Sequence, residues 1–275
     1  MSRRGPSDDA ARHQGSSTRI IAGDIRDAGV LRAAVRGVHI VFHLAAMKSI
    51  AECEARPAEA IATNVIATRE LLEAARDQPT LERFIAVSSD KASNPSSVYG
   101  LTKAYVERIV GEVQLSSRAD ISAARCGSIW GSAGSVMSEW RRAGRNGEEI
   151  PVTDLDMTRF VMRREEAVAL ILQCAARRMR GSVLTRVMRS YGLKDLAELV
   201  AKRYGVSLRV IGRRPGEKLH EDLISPTEGR FTQRSGDFFE ISFDHIGPGT
   251  APFSSLDARK LSTLELKQLV GAEDL

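Results

Sequence analysis

The chain has 275 residues, with 40 Lys plus Arg against 35 Asp plus Glu for a net charge of +5, and it is 43% hydrophobic and 27% charged. These proportions exclude a collagen-like, low-complexity or wholly disordered chain, and the length suffices for one large α/β unit or two coupled domains. The basic excess is slight and scattered, densest at Arg177, Arg178 and Arg180, and no aromatic residues interleave with it, so no nucleic-acid surface is expected.

Residues 1–17 are polar and aperiodic and read as a disordered tail rather than a leader sequence. A short strand is expected over Arg19–Asp24, and a buried, almost continuously apolar strand over Val38–Ala46. Pro57 opens a helix to about Arg76, with Ile61, Val65, Thr68 and Leu72 at helical spacing. A strand over Glu82–Val87, a helix over Val98–Leu115 and a strand over Ile121–Arg125 follow. Alternation of this kind predicts a doubly wound parallel sheet, with ligands beyond the carboxyl ends of its strands. Later come helices over Glu165–Arg178 and Leu193–Tyr204 and a strand within Gly205–Ile211, while 131–162 and 212–275 are rich in turns. The expected division is a Rossmann-like domain over 18–130 and 163–190, and a smaller α/β substrate lobe over 131–162 and 191–275.

Cys53, Cys126 and Cys174 are odd in number and widely spaced, which favours free thiols in a reduced compartment over a disulfide framework. No metal-ligand spacing is found, and no apolar run is long enough for a membrane span, so a cytoplasmic protein is expected.

The most informative stretch runs from Ser88 to Lys103, from a strand's carboxyl end into a helix. Tyr99 and Lys103 share one helix face, and an ammonium there would lower the phenol's pKa. A phenol so tuned can take a proton from a sugar hydroxyl as hydride leaves the same carbon, with Ser89 bonding that hydroxyl. Asp90 and Lys91 put an acid beside an amine on one loop, which suits elimination.

On these residues the chain resembles the inverting UDP-N-acetylglucosamine 4,6-dehydratases of the CapD-like polysaccharide-biosynthesis group, within the extended short-chain dehydrogenase/reductases. Further matching segments are Gly23-Asp-Ile-Arg-Asp27, Val41-Phe-His-Leu-Ala-Ala-Met-Lys48, Thr63-Asn-Val65, Asp156-Met-Thr-Arg-Phe160, Arg214-Pro-Gly-Glu-Lys-Leu-His-Glu221 and Leu261–Leu269. The resemblance implies that Tyr99 is the base for oxidation at C4, with Ser89 and Lys103 completing its triad. It implies that Lys91 removes the C5 proton and Asp90 protonates the C6 hydroxyl. A bound NADP or NAD would contact Asp24, Ile25, Leu44, Ala45, Ala46, Lys48, Asn64, Tyr99 and Lys103. A UDP-sugar would contact Ser128, Arg159, Arg214 and Glu217, and a homo-oligomer pairing the helices at 57–76 and 98–115 is implied.

The family's opening strand, glycine-rich turn and helix have no counterpart before Arg19, so the expected fold is an N-terminally truncated Rossmann-like sheet with a weakened pyrophosphate seat. Ser128 replaces the family's Asn, Ala133 stands where an Arg is usual, and Ser49 where a His is frequent. These departures imply weakened or altered sugar-nucleotide binding. They leave open a non-catalytic or partner-dependent nucleotide-sugar-binding remnant, and an epimerase or reductase on a related nucleotide sugar.

Overall fold

In the computed structural model, which describes residues 18–132, 134–244 and 246–272, the Asp27 side chain accepts the backbone N–H groups of Gly29 and Val30 and so starts α1, Ala28–Val35. Strand β1 is Ile40–His43. Helix α2, Ile50–Ala55, is capped by Ser49. Pro57 opens α3, Pro57–Ile61, which passes through a π-helical turn at Ala62–Ile66 into α4, Ala67–Arg76. Then come β2 (Arg83–Ser89), α5 (Val98–Gln114), β3 (Asp120–Cys126), α6 (Val136–Arg145), β4 (Ile150–Val152), β5 (Thr158–Val161), α7 (Arg164–Ala176), β6 (Val183–Arg186), β7 (Arg189–Gly192) and α8 (Leu193–Tyr204). The chain ends through β8 (Leu208–Val210), β9 (Asp222–Ile224), β10 (Thr232–Ser235), β11 (Phe238–Ile241), β12 (Phe253–Ser254) and α9 (Thr263–Ala272).

The central sheet has the order β1-β2-β3-β6-β11-β10. Strands β1, β2, β3 and β6 are parallel, and the β10–β11 hairpin adds antiparallel to β6. Every residue of β3 is buried, as a central parallel strand covered on both faces requires. One apolar core surrounds this sheet, with Phe84, Ile85, Ile121 and Leu184 at its centre. A second core joins α6, β4, α8 and α9 around Trp140, Ile150, Leu196 and Leu266, and the Trp140 indole N–H is satisfied by the Pro151 carbonyl at 2.7 Å. The fold is thus α/β with a parallel-dominated sheet and a second, smaller packed unit.

Several expectations need correction. Arg19–Asp24 is not a strand: no neighbour among the described residues pairs with it, Ile20 is 67% exposed, and Asp24 turns back onto Arg26. Val38–Ala46 is not buried either. Among the described residues strand β1 pairs only with β2, and Ile40, Phe42 and Leu44 are 44%, 41% and 61% exposed along one face. The β10–β11 hairpin, expected in the substrate lobe, extends the main sheet, because Phe239 and Ile241 pack into the first core. The turn-rich 131–162 segment holds a full helix, α6. The expected tail over 1–17 and the Ala133 substitution lie outside the described residues.

Candidate active site

The site forms where β2 ends. Ser89 closes the strand and caps a single 3-10 turn, Asp90–Ala92. Its hydroxyl donates to Asp90 Oδ1 at 2.8 Å, and Lys91 Nζ reaches the same oxygen at 3.1 Å. Asp90 is fully buried, whereas the Lys91 side chain keeps 18% of its surface. The turn is fixed from several sides. Ser93 Oγ donates to Glu228 Oε2 at 2.6 Å, and Asn94, at φ 61°, bonds Asp222 through its amide and takes Lys218 Nζ on its carbonyl. Helix α5 starts beneath it, capped by Ser97 and by Glu54, whose Oε1 accepts the Val98 N–H at 2.7 Å.

Tyr99 lies on the first turn of α5 and Lys103 on the next. Lys103 is buried and donates to the Val87 carbonyl at 2.7 Å. Burial lowers Lys103 to about 8. Burial raises the Tyr99 phenol to about 12, against the pull of Lys91 and of the Ser89 hydroxyl. The expected lowering of Tyr99 by Lys103 is therefore not what this geometry gives: the ammonium that acts on the phenol is Lys91, and desolvation outweighs it.

A cleft of about 1180 Å³ opens in front of this turn. Of the expected site residues, Ala46, Lys48, Lys91, Ser128, Arg159, Arg214 and Glu217 line it. Ser89, Asp90, Tyr99 and Lys103 are not among its lining residues. Asn64 is also absent from that wall. Held by the π-turn and 1% exposed, it accepts the Met47 N–H, donates to the Met47 carbonyl, and donates to Thr102 Oγ1. It therefore ties the loop carrying Lys48 to α5. Leu44 and Ala45 are exposed beyond the end of β1. Asp24 is held at about 2 by its hydrogen bonds with Arg26, and Ile25 packs against the main core, so neither lines the cleft.

The phosphate-side candidates are already engaged. The Arg159 guanidinium donates to the carbonyls of Thr158, Lys218 and Leu219, so it braces the 217–221 loop. The Arg214 N–H donates to Glu217 Oε2 at 3.0 Å, and its guanidinium sits 3.4 Å from Glu139 on α6.

Three groups here were not singled out by sequence. Glu221, 2% exposed, sits 3.4 Å from Lys91 Nζ. Tyr191 lines the cleft edge-on to Trp130. Arg125, fully buried, forms paired bonds to both Glu107 and Glu228. The only advance signal for Glu221 was its place at the end of the Arg214–Glu221 run. Arg125 gave none beyond being a charge inside an apolar strand.

A nicotinamide cofactor can be tested against these residues. Ala46 and Lys48 are the cleft-lining residues able to hold the ribose-nicotinamide half beyond the strand ends, whereas Tyr99 and Lys103 are not on that wall. Among the described residues no glycine-rich turn leads from a parallel strand into a helix, so the fit covers that half and not the pyrophosphate. No helix among the described residues is long and apolar enough to cross a membrane.

Residues 6–242 match the family of polysaccharide biosynthesis proteins. The chain is 35% identical over 267 residues to an uncharacterized membrane protein of Methanocaldococcus jannaschii, covering 92% of this chain and 80% of that one. It is 33% identical to the inverting UDP-N-acetylglucosamine 4,6-dehydratase of Campylobacter jejuni (82% and 67% covered), and 30% identical to the UDP-glucose 4-epimerase of Rickettsia akari (88% and 72%). The X-ray structure of Pen from Bacillus thuringiensis superposes with a TM-score of 0.89 at 30% identity, covering 97% of this chain and 85% of that one.

Proposed function

The chain belongs to the CapD-like polysaccharide-biosynthesis group of the extended short-chain dehydrogenase/reductases, and on that footing we propose that it is a nucleotide-sugar 4,6-dehydratase acting on UDP-N-acetylglucosamine, with inversion at C5, in the making of a surface glycan. The observation that carries this reading is the Asp90–Lys91 pair, with Lys91 on the cleft wall, Asp90 buried and bonded to it, and Ser89 and Tyr99 beside them. An elimination next to a carbonyl needs a base for the C5 proton and an acid for the departing C6 hydroxyl. Asp90 and Lys91 supply both within 3.1 Å.

In this reading Tyr99 accepts the C4 hydroxyl proton, and the Ser89 hydroxyl holds the oxygen. Burial holds the Tyr99 phenol above its ordinary range, and the Lys91 ammonium and Ser89 hydroxyl favour its deprotonated form against that burial. The Lys103 ammonium, held on the Val87 carbonyl in this structure, binds a ribose. NADP or NAD, when bound, supplies the oxidant for C4 and the hydride for C6. Arg214, Glu217 and Ser128 face the UDP end, and Arg159 braces the loop that carries Glu217. We place the enzyme in the cytoplasm as a homo-oligomer. Its pairing surface would be the outward face of α3, the π-turn and α5, where Ile61, Ile66, Leu101 and Tyr105 are about half exposed.

The epimerase relative favours a second reading, reversible oxidation at C4 alone. That chemistry leaves Asp90 and Lys91 idle. Incubating the protein with UDP-N-acetylglucosamine and NADP or NAD separates the two. A product lighter by one water is expected, whereas an isomer of unchanged mass would replace the dehydratase reading with the epimerase one.

A further inference from the structure

Glu221 lies on the loop leading into β9, its backbone N–H held by Ser255 Oγ at 2.9 Å. Its Oε1 is 3.4 Å from Lys91 Nζ, while Asp90 Oδ1 stands 3.1 Å from the same nitrogen. The Lys91 ammonium is thus bracketed by two buried carboxylates from elements far apart in sequence. Each carboxylate has a second oxygen, Asp90 Oδ2 and Glu221 Oε2, that is buried without a hydrogen-bond partner, although Lys218 Nζ forms an ion pair with Glu221 Oε2 at 3.4 Å. The other groups facing this cluster are Arg159 from β5, whose Nε is 4.0 Å from Glu221, Tyr99 from α5 and Tyr191 from β7. Two buried carboxylates around one lysine are costly to desolvate, and such an arrangement needs a use.

We propose that Glu221 is a positioning residue of this site: from across the Lys91 ammonium it opposes Asp90, aims Nζ into the cleft, and makes the Lys91 amine a strong base when Asp90 holds its proton. The proposal rests on the elimination reading above.

The proton movements balance. At rest Lys91 is an ammonium and Asp90 a carboxylate. Burial works against that charge, and Asp90 and Glu221 together more than offset it, holding Lys91 above the ordinary lysine range. One proton passes from Nζ to Asp90, leaving an amine and a carboxylic acid. The amine takes the proton from C5 of the 4-keto sugar. The electron pair of that C–H bond forms the C5–C6 double bond as the C6–O bond breaks. The Asp90 proton goes to the departing oxygen, which leaves as water. Lys91 is again an ammonium and Asp90 a carboxylate. Glu221 stays anionic throughout, its acidity strengthened against burial by Lys91, Arg159 and Lys218.

The test reads Lys91 directly in the full-length chain without ligand. Lysine is labelled with carbon-13 at Cε, and the Lys91 signal is assigned by its loss in Lys91→Arg. Lys91 is expected to keep its ammonium shift beyond pH ~11, above the ordinary lysine value near 10.4. Glu221→Gln should bring the transition down by about one pH unit or more, while Glu221→Asp falls between. Lys218→Met, which touches Glu221 but is not within ion-pair reach of Lys91, should leave the Lys91 transition above that of Glu221→Gln. A Glu221→Gln transition equal to the wild type overturns the proposal. If that variant fails to fold, Glu221→Asp decides, and an unchanged value overturns it equally. Turnover adds a second readout. Glu221→Gln should lower kcat at least ~10-fold with KM little changed, Glu221→Asp recovering part of it. A lowered Lys91 transition with no dehydration of UDP-N-acetylglucosamine sinks the dehydratase reading and leaves the clamp standing. Dehydration with an unmoved transition does the reverse.

Discussion

Tyr99, Asp90 and Lys91 divide the proposed chemistry among three side chains, and each can be removed separately. Tyr99→Phe should cost about 10²–10⁴ in kcat, the usual weight of one proton-transfer group, with the fold intact because the phenol's hydrogen bond is with the Ser89 side chain. Steady-state kinetics with a melting curve checks both halves. A different outcome belongs to Glu228. Burial would raise its carboxyl, but Arg125 above all, with Ser93 and the Ser225 N–H, brings it from 4.5 down to about 2. A depressed folded value stabilises the protein fully above the unfolded value and loses that contribution as pH falls from about 4.5 toward 2. Glu228→Gln should therefore lower stability at neutral pH by about 3 kcal/mol, and its stability should fall less than the wild type's between pH ~5 and ~2.5. Urea unfolding at a series of pH values reads this; parallel curves for the two proteins would contradict it.

Among the elements, the turn over Asp90–Ala92 and the start of α5 are the parts that must fit most closely. A Cβ at Gly100 would sit 2.5 Å from the Lys91 carbonyl oxygen and 3.1 Å from Pro95. Gly100→Ala must displace the turn that carries Asp90 and Lys91, so activity should fall much further than its melting temperature suggests. Activity retained at the wild-type level would show that the turn has slack. This segment was also the most legible in the sequence. The i,i+4 spacing of Tyr99 and Lys103, the strand end before Ser88 and the helix bounds of α5 could all be read from periodicity and capping residues. What could not be read was long-range. The sequence placed Asn64 in the cofactor site. The π-turn instead aims its amide at Met47 and Thr102, a contact that depends on how two helices cross. Arg159 suggested a free cation for phosphate, yet three backbone carbonyls claim it. The apolar run of β1 predicts a buried strand, and hydropathy alone does not reveal that among the described residues only β2 flanks it.

For the whole molecule, alternation of strands and helices predicts a parallel sheet and its strands β1, β2 and β3, whereas β6 has no counterpart among the expected strands. The antiparallel hairpin β10–β11 escaped because short strands in a turn-rich tail carry little periodic signal. The half-exposed Ile61, Ile66, Leu101 and Tyr105 lie on helices packed side by side, and covering them would bury apolar surface that a monomer leaves wet. Sedimentation should show an oligomer, and Ile66→Asp with Tyr105→Glu should yield a folded monomer; a wild-type monomer across accessible concentrations would remove that part of the account. The central claim is that the cleft performs elimination and not simple inversion at C4. The most direct measurement is turnover of UDP-N-acetylglucosamine in deuterium oxide with NADP or NAD, read by mass spectrometry and proton NMR. The account predicts a product that has lost one water and carries one solvent deuteron at C5. A C4 epimer of unchanged carbon-bound hydrogen content, or loss of water with no deuteron at C5, would contradict it.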